Sequence, residues 1–363
     1  MSARRAHCCL KMSSRAASID VGERGLRSAM PNIRTAANAP VGVVVIGRNE
    51  GDRLQRCLQS VVGTNRVVVY VDSGSTDGSV NLAIANGAAV VALDMGRPFT
   101  AARARNAGFA KLASSAGDGL RYVQFVDGDC EIMPAWLEIA SSFLDQHADV
   151  ACVCGRLRER HPERSVYNLL CDMEWDRPVG QTQACGGIAM LRCDVFAALG
   201  GFREDLIAGE EPELCVRIRT RGAKVWRLAQ HMAWHDAAML HFNQWWKRSR
   251  RGGFGAAQAA FMQGSTRERG VVRQMLRPWF WAGVVPLGVT VACVAWGLPA
   301  LTLLLAYPVQ MLRIASGVNG PWGARLPRAF FMLFGKFPEL LGQLQFWLSR
   351  KPGRAAPSFD YKV

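Results

Sequence analysis

The chain has 363 residues, half of them hydrophobic, and carries a formal net charge of +15 at pH 7. This length and apolar content exclude a small fold that depends on disulfides, because a sizeable core can be buried. The basic balance indicates an anionic partner of one of three kinds: nucleic acid, membrane lipid or a phosphorylated molecule. The 11 cysteines lack paired metal-type spacing, so we expect reduced, mostly buried thiols in a cytosolic domain.

Residues 1–40 are rich in Arg, Ser and Ala and contain no apolar stretch that could form the core of a signal peptide. Such a composition predicts a disordered basic leader. The first folded domain should therefore begin at Val41.

From Val41 to about Leu228, strand-like apolar runs alternate with segments of helical periodicity. The predicted strands are, in chain order, VGVVVIG (41–47), RVVVYVD (66–72), AVVAL (89–93) and RYVQFVD (121–127). Apolar strands separated by helices predict an α/β fold with a mostly parallel central sheet and helices on both faces. Ligands of such sheets bind beyond the carboxyl ends of the strands, so Asp72 and Asp127 should share one crevice.

An acidic turn, Asp127-Gly128-Asp129, follows the fourth predicted strand. One interpretation is a simple turn in which Gly128 supplies the bend. The other is a site for Mg²⁺ or Mn²⁺, since paired carboxylates offer hard oxygen ligands and leave positions open for phosphate oxygens. Gly128 would let the two carboxylates converge. On this second interpretation, their positive partner is a cation held jointly with a diphosphate.

The stretch DSGSTDG (72–78) follows the second predicted strand. A polar turn and helix cap explains most of it. It does not explain the acid at the last strand position, where Asp72 can accept from the N–H of a nucleobase. In the next predicted helix, Arg103 and Arg105 should approach the same crevice, and arginine suits phosphate. A solvated helix face is the alternative for these arginines.

A second acidic stretch, EEPE (210–213), opens a predicted helix. We expect Pro212 at the first helical position and Glu211 as the N-cap, aimed at the crevice, with Glu210 pointing elsewhere. Acids at a helix N-terminus also interact favourably with the helix dipole, so a purely structural role is one interpretation. The other is a general base, which requires a carboxylate in a crevice.

Residues 279–312 contain no charged residue, and basic residues flank them on both sides. The run is much longer than one bilayer crossing. Two short helices with a turn near Gly297 would form a membrane hairpin with both ends in the cytoplasm. A buried helical pair in a soluble protein is the alternative. The predicted domains are then 41–265 for the α/β domain, 266–350 for a membrane-associated helical region and 351–363 for a tail.

Five motifs, in the right order and at suitable intervals, resemble those of the family 2 glycosyltransferases, which have the GT-A fold. They are VVIGRNE (44–50), VDSGSTDGS (71–79), ARARNAGF (102–109), FVDGDC (125–130) and GGFREDLIAGEEPELCVRIRTRG (200–222). The resemblance covers roughly residues 41–260. It implies a GT-A domain, here followed by a C-terminal membrane helical hairpin.

The resemblance implies roles for residues on the donor side of the crevice. Asn49, Glu50 and Asp72 would form the nucleoside pocket, with Asp72 on the base. Arg105 would contact the diphosphate.

It also implies roles around the reacting groups. Asp127 and Asp129 match the DxD pair, with Asp129 as the direct metal ligand. Glu211 stands where the family has the Asp of a Glu-Asp pair, the general base of inverting members, and the longer side chain keeps the carboxylate. Glu210 would orient the acceptor. His235 matches a histidine that completes the metal site, although a core or surface histidine is the alternative.

The activity implied is hexose transfer, with inversion, from a UDP- or GDP-linked donor to a hydroxyl of a saccharide or lipid-linked acceptor. The enzyme would use Mg²⁺ or Mn²⁺. It would act at the cytoplasmic face of the inner membrane, in contact with membrane lipid. Its product would serve cell-envelope or exopolysaccharide assembly. A membrane-anchored protein that binds nucleotide sugars without catalysis is the alternative. VVVIGRNEGD lacks the GxGxxG of a dinucleotide-dependent oxidoreductase. Nucleic acid is not the expected partner, because the basic residues cluster beside the apolar hairpin, where they suit anionic lipid.

Overall fold

The computed structural model describes residues 41–63, 66–116, 119–263, 269–317 and 322–350, so the predicted leader and tail lie outside the described residues. The strands are β1 (Val41–Gly47), β2 (Val68–Asp72), β3 (Ala89–Ala92), β4 (Tyr122–Asp127), β5 (Cys130–Ile132), β6 (Val150–Glu159), β7 (Gly180–Gln181), β8 (Ala189–Arg192) and β9 (Lys224–His235). The helices of the α/β part are α1 (Asp52–Val61), α2 (Ser79–Ala85), α3 (Ala101–Ala116), α4 (Trp136–Gln146), α5 (Val166–Trp175), α6 (Cys193–Ala198) and α7 (Glu210–Thr220). The C-terminal helices are α8 (Phe242–Gln263), α9 (Arg269–Pro278), α10 (Val285–Trp296), α11 (Ala306–Ser316), α12 (Trp322–Phe334) and α13 (Lys336–Ser349).

One half of the sheet is parallel, as the sequence predicts. Its strands lie in the order β3-β2-β1-β4, and each neighbouring pair is parallel. The register places Asp72 beside Gly47 and Asp127 beside Ile46. The two carboxylates therefore leave the sheet on either side of the end of β1, in the predicted crevice.

The other half of the sheet is mixed. The order continues β8-β6-β9-β5, and β7 pairs with β9. Strand β8 is antiparallel to both β4 and β6, whereas β6 is parallel to β9. Strand β5 begins directly after Asp129 and runs antiparallel to β9, with Cys130 opposite His235. This pairing holds the acidic turn against the end of β9.

Helix α1 buries Leu54, Cys57, Leu58 and Val61 in the core. The core also confirms the prediction for the cysteines. All nine cysteines of the described residues are free thiols, and eight of them are buried. These cysteines therefore act as small apolar side chains in the core.

Helices α10 and α11 belong to a helical hairpin that turns at Gly297, and the 3₁₀ helix Leu298–Leu305 between them packs against α10. The Tyr307 hydroxyl donates to the Trp281 carbonyl at 2.6 Å, and the two rings lie 5.8 Å apart, which fixes the pairing. The stretches Val272–Trp296 and Leu298–Ser316 are long and apolar enough to cross a membrane. Their side chains are largely exposed, 85% for Val294. The structure therefore contradicts the alternative of a helical pair buried inside a soluble protein.

The remaining C-terminal helices pack on the α/β domain. Helices α12 and α13 meet at Gly335, and α13 lies along α8. An aromatic cluster joins α5, α8 and α12 through Tyr167, Trp245 and Phe331, with Trp245 buried. The hairpin is therefore attached to the domain through packed helices on both sides of it in the sequence.

Candidate active site

The loops after β1 and β2 are joined into one rim of the crevice. The Asn49 side-chain oxygen accepts from the Thr76 N–H at 2.7 Å, and the Asn49 N–H donates to the Ser75 hydroxyl at 2.9 Å. The Asp77 carboxylate accepts from the Gly51 N–H at 3.0 Å. Asn49 has a φ of 53°, a conformation that asparagine adopts more readily than most residues. The predicted nucleoside residue Asn49 thus holds the rim together.

Asp72 is buried and fixed at the end of β2 by three hydrogen bonds. One oxygen accepts from the N–H groups of Gly74 and Ser75 at 3.0 and 2.9 Å, and the other accepts from the Tyr70 hydroxyl at 3.1 Å. An ionised carboxylate offers about four acceptor positions. One position is therefore left for a ligand, and the contact with a nucleobase stays a prediction.

Glu50 lies directly behind the acidic turn. It is buried, and its carboxylate pairs with Arg53 at 2.9 Å. A Cβ atom on Gly128 would come within 3.1 Å of the Glu50 side chain and 3.2 Å of the Ile46 carbonyl. Glycine is needed here because the turn lies so close to β1 and Glu50. The role of Glu50 at the nucleoside stays a prediction.

Arg105, on α3, is the centre of a buried ionic cluster. Its Nη2 donates to Asp127 at 2.9 Å, and its Nη1 donates to Glu210 at 2.8 Å and to Glu211 at 3.0 Å. The Arg105 side chain is only 3% exposed. The positive group beside Asp127 is therefore this arginine of the chain itself. Contact between Arg105 and a diphosphate stays a prediction.

One guanidinium cannot neutralise three carboxylates, so protonation of Asp127 and Glu211 is favoured. Burial raises the pKa of Asp127 more than Arg105 lowers it, and Asp129 raises it further. Burial and the charge of Glu210 likewise raise the pKa of Glu211, against the opposing effect of Arg105. A carboxylate whose pKa lies closer to neutrality is a stronger base at working pH.

Helix α7 begins two residues earlier than predicted. Gly209, with a φ of 86°, is the N-cap, and Glu210 is the first helical residue. Glu211 is therefore not the N-cap, and Pro212 is the third helical residue, which is tolerated because the first four N–H groups have no acceptor within the helix. The expectation that Glu210 points away from Glu211 is also wrong, because both carboxylates reach Arg105.

Asp129 and His235 face each other beside the paired strands β5 and β9. The Asp129 carboxylate lies 3.5 Å from His235 Nε2, and Nδ1 of the same ring lies 3.8 Å from Glu159. The Cys130 thiol is close enough to share a metal with this pair. Burial and the nearby carboxylates raise the pKa of the Cys130 thiol, which donates to Asp129 at 3.5 Å. A soft thiol suits Mg²⁺ or Mn²⁺ less well than carboxylate and imidazole do. Asp129 and His235 are the pair left to act as ligands.

The surplus of negative charge fits a divalent cation. Five carboxylates and two basic side chains meet in this region: Asp127, Asp129, Glu159, Glu210, Glu211, Arg105 and His235. Burial lowers the pKa of His235, but Asp129, Glu159 and Asp127 raise it, and the net direction is upward. Carboxylate oxygen and imidazole nitrogen are ligands that Mg²⁺ and Mn²⁺ accept. Both the donor set and the charge therefore suit such an ion.

Glu159, at the end of β6, is a site residue that the sequence analysis missed. Its side chain is 0% exposed, and besides facing His235 it accepts from Ala237 N–H at 3.1 Å and from Asn168 Nδ2 at 3.3 Å. It therefore holds the segment that follows β9. The available signal is strand alternation, because Glu159 lies out of phase with the arginines at 156, 158 and 160.

Arg103 does not face the crevice, contrary to the prediction. Its guanidinium donates to the carbonyls of Asp94, Arg97 and Pro98 at 2.8, 3.0 and 2.6 Å. Arg103 and Arg105 are two residues apart on a helix and so point in different directions. The role of Arg103 is to fix the loop that precedes α3.

A polar cavity of about 400 Å³ adjoins the acidic turn. Its lining contains both acidic and basic side chains and consists of Glu50, Asp52, Arg53, Arg56, Arg160, His161, Arg164 and Asp236. Asp236 connects the cavity to the metal-type pair, because it follows His235 and its N–H donates to the Asp129 carbonyl at 3.0 Å. Room for a polar group therefore exists beside the carboxylates.

Residues 42–199 match the family model described as glycosyl transferase family 2. This part of the chain is therefore similar to that family, over the parallel half of the sheet and on to α6. The resemblance seen in the sequence motifs is thus confirmed. The matched segment includes Asp72, Arg105 and Asp127, whereas Glu211 and His235 follow it.

One curated protein and two solved structures are also similar to this chain. A TPR repeat-containing protein of Synechococcus elongatus is 35% identical over 144 residues, which are 39% of this chain and 33% of that protein. The chain thus matches about a third of the length of this curated relative. A mannosyltransferase from Pyrobaculum calidifontis, solved with GDP-Man and Mn²⁺, aligns with a TM-score of 0.60 at 18% identity over 87% of this chain and 89% of that chain. S. aureus TarS aligns with a TM-score of 0.48 at 14% identity over 87% of this chain and 92% of that chain. The likeness to the mannosyltransferase shows the GT-A fold.

Proposed function

We propose that this protein transfers a hexose, with inversion, from a UDP- or GDP-linked donor to a hydroxyl acceptor at a membrane surface. The observation that carries the proposal is the ionic cluster in which Arg105 joins Asp127 to Glu210 and Glu211, beside the facing pair Asp129 and His235. It combines, in one crevice, groups suited to a diphosphate–metal complex and a carboxylate suited to proton removal.

The donor nucleoside would bind at the rim formed by the loops after β1 and β2. Asp72 supports this because it keeps one acceptor position and is held rigidly by its other hydrogen bonds. Asn49 and Glu50 would complete the pocket. The likeness to a mannosyltransferase solved with GDP-Man and Mn²⁺ supports a nucleotide sugar as donor.

Asp129 and His235 would hold a divalent ion, Mg²⁺ or Mn²⁺, with Asp127 at its side. When bound, such an ion supplies charge stabilisation for the leaving diphosphate. Arg105 would keep Asp127 in place and, through its other nitrogen, keep the two glutamates at a fixed distance from the donor side. Its buried position supports this orienting role, because its three hydrogen bonds to carboxylates restrict movement.

Glu211 would remove the proton from the acceptor hydroxyl. Its pKa is raised by burial and by Glu210, so its carboxylate is a stronger base than an exposed one. It is also less buried than Glu210, with 16% of its side chain exposed against 7%. Glu210 would therefore brace the pair and orient the acceptor while Glu211 meets the hydroxyl.

The exposed hairpin of α10 and α11 would insert into the membrane from the cytoplasmic side. Its apolar surface and basic flanks support anionic membrane lipid as a partner. The catalytic domain, residues 41–265, would then stand at the cytoplasmic face of the inner membrane, followed by the membrane-associated region 266–350. A saccharide or lipid-linked acceptor of cell-envelope or exopolysaccharide assembly suits that location.

The test is turnover of the full-length protein in lipid nanodiscs with a panel of UDP- and GDP-hexoses and lipid-linked or free saccharide acceptors. We expect nucleotide release that depends on the acceptor and on Mn²⁺ or Mg²⁺, and a product whose anomeric configuration is opposite to that of the donor. The anomeric configuration is read by NMR of the product.

Two outcomes would overturn the proposal. Tight donor binding without any transfer would favour the alternative, a membrane-anchored nucleotide-sugar-binding protein without catalysis. A product that keeps the donor configuration would exclude the inverting mechanism and with it the role of Glu211.

A further inference from the structure

Helix α8 lies against the loop that leads into the two glutamates. This loop, residues 199–209, connects α6 to α7 and ends at Gly209, directly before Glu210. A Cβ atom on Gly255 of α8 would come within 2.7 Å of the Ala208 carbonyl oxygen. Helix and loop therefore touch backbone to backbone, two residues before Glu210.

The amide of Gln258, one turn further along α8, binds the same loop twice. Its side-chain oxygen accepts from the Ile207 N–H at 3.2 Å, and its Nε2 donates to the Asp205 carbonyl at 2.8 Å. Ile207 also packs against the cluster that contains Phe254 of α8. One side chain thus fixes two peptide groups of the loop that leads into Glu210.

Helix α8 is itself held in place by α13. A Cβ atom on Gly253 would collide with the Glu339 carbonyl, and one on Gly342 would collide with the Arg250 carbonyl. The rings of Phe254 and Phe346 lie 5.3 Å apart, edge to face. The two helices therefore pack at backbone contact, which makes α8 a rigid support.

We propose that Gly255 and Gln258 are positioning residues, which set the distance between the Glu211 carboxylate and the donor side of the site by fixing residues 205–208. This inference rests on the proposed role of Glu211. A displacement of a reacting group by about 1 Å can lower turnover roughly a hundredfold. The contacts between α8 and this loop should therefore affect turnover but leave donor affinity unchanged.

The experiment compares Gln258→Ala and Gly255→Ala with the matched control Gly252→Ala. Gly252 lies on the same helix and has open space around it, and both glycine replacements favour the helix equally. We expect kcat to fall roughly 10- to 100-fold for Gln258→Ala and Gly255→Ala, with the donor Kd within about twofold of wild type. Gly252→Ala should keep the wild-type kcat. Wild-type kcat in Gln258→Ala and Gly255→Ala, or a parallel loss of donor affinity, would overturn the proposal.

A double-mutant cycle separates this proposal from the proposed function. If Gln258 acts through Glu211, then Gln258→Ala should cause no further loss in a Glu211→Gln background, whereas an additive loss would place its effect elsewhere. A fully active Glu211→Gln variant would instead refute the proposed role of Glu211 as the general base.

Amide hydrogen exchange gives a readout that needs no turnover. Loss of the Gln258 acceptor should speed exchange at the Ile207 N–H in Gln258→Ala but not in Gly252→Ala. Unchanged exchange at Ile207 would show that Gln258 does not fix the loop.

Discussion

The candidate active-site crevice and the C-terminal hairpin differ in what they bury: the crevice buries charged side chains, whereas the hairpin leaves apolar side chains exposed. In the crevice, charged side chains such as Arg105 and Glu159 are buried, and they are held by specific partners. In the hairpin, large apolar side chains such as Val294 and Trp296 are exposed. Burying charge costs free energy unless it is paired, and exposing apolar surface to water costs free energy as well. Each region departs from an ordinary globular protein, and each departure suits the partner proposed for it: an ion with a nucleotide in one region, a bilayer in the other.

The largest expected effect tests the buried carboxylates of the crevice. Glu211→Gln should lower turnover by roughly 10²- to 10⁴-fold, because a general base contributes about that factor. Donor affinity should stay close to wild type, since Asp72 and Asp129 are unchanged. Turnover and donor Kd are measured on one preparation, with Glu210→Gln alongside. If Glu210→Gln is the inactive variant and Glu211→Gln turns over normally, the two roles are reversed.

The pH dependence of the same variant gives a second reading of Glu211. Its raised pKa means that the wild-type base form, and with it turnover, increases as pH rises through the raised value. For stability the sign is opposite: a carboxyl whose folded pKa is raised stabilises the fold at low pH, and this contribution is lost as pH rises through the folded pKa. Glu211→Gln should therefore lack that rise in turnover and have a Tm at alkaline pH no lower than that of wild type. A lower Tm of Glu211→Gln than of wild type at alkaline pH would contradict the excess of carboxylates around Arg105.

A smaller effect is expected from the ion itself. Asp129→Ala, or chelation of the wild type with EDTA, should lower turnover roughly 10²- to 10³-fold, because a divalent ion supplies several kcal/mol of charge stabilisation. Calorimetric titration with Mn²⁺ should detect binding to wild type and none to Asp129→Ala. Cys130→Ser is the matched control and should keep Mn²⁺ binding. Full turnover in EDTA would show that the reaction does not need a divalent ion.

The hairpin side of the comparison is tested by adding a charge to it. Leu287, on α10, is 66% exposed, and Leu287→Lys should weaken partition into anionic vesicles roughly a hundredfold, because a central lysine costs about 2.5–3.5 kcal/mol. Val62→Lys alters an exposed valine of the α/β domain and should leave partition unchanged. Flotation on a density gradient measures both. Equal partition of the two variants would mean that the hairpin does not enter the bilayer.

The smallest expected effect concerns the rim between the two donor loops. Asp77→Ala removes acceptors for Gly51 N–H and for Ser79 and should lower the free energy of unfolding by about 1 kcal/mol. Burial raises the pKa of Asp77, but hydrogen bonds from Ser79 and Gly51 lower it below its ordinary value overall. The stabilisation is therefore present above the unfolded pKa and is lost as pH falls through the lowered folded pKa. Urea titration at pH 7 and at a series of acidic pH values should show the full difference at pH 7 and a smaller one as the pH falls.

The sequence predicts the parallel half of the sheet well, because continuous apolar strands and their helices leave few alternatives. The shared position of Asp72 and Asp127 is predicted with it, because neighbouring parallel strands have their carboxyl ends on the same side of the sheet. The mixed half is not predictable in this way. Strand β8 is four residues long and β5 only three, so they carry little alternation of their own. The pairing of Cys130 with His235 depends on that half.

The ionic cluster could be predicted only in part. Each member is visible as a polar residue in a motif, but Arg105 and Glu211 are separated by 106 residues, and only the folded chain brings them together. The start of α7 was misjudged because a proline at the first helical position is a common signal, whereas here Gly209 adopts the left-handed conformation that starts the helix. The prediction that Arg103 approaches the crevice is wrong because helical spacing gives only the relative directions of Arg103 and Arg105. Which of the two faces the crevice depends on which face of α3 is buried.

The distribution of thiols has a practical consequence for spectroscopy. Eight of the nine cysteines in the described ranges are buried, and Cys293, on α10 of the hairpin, is partly exposed. With Cys8 and Cys9 replaced by serine, a thiol-reactive fluorophore should label Cys293 selectively in the folded protein. Quenching of that label by lipids brominated at different depths would then measure how far the native hairpin reaches into a bilayer, without an engineered cysteine.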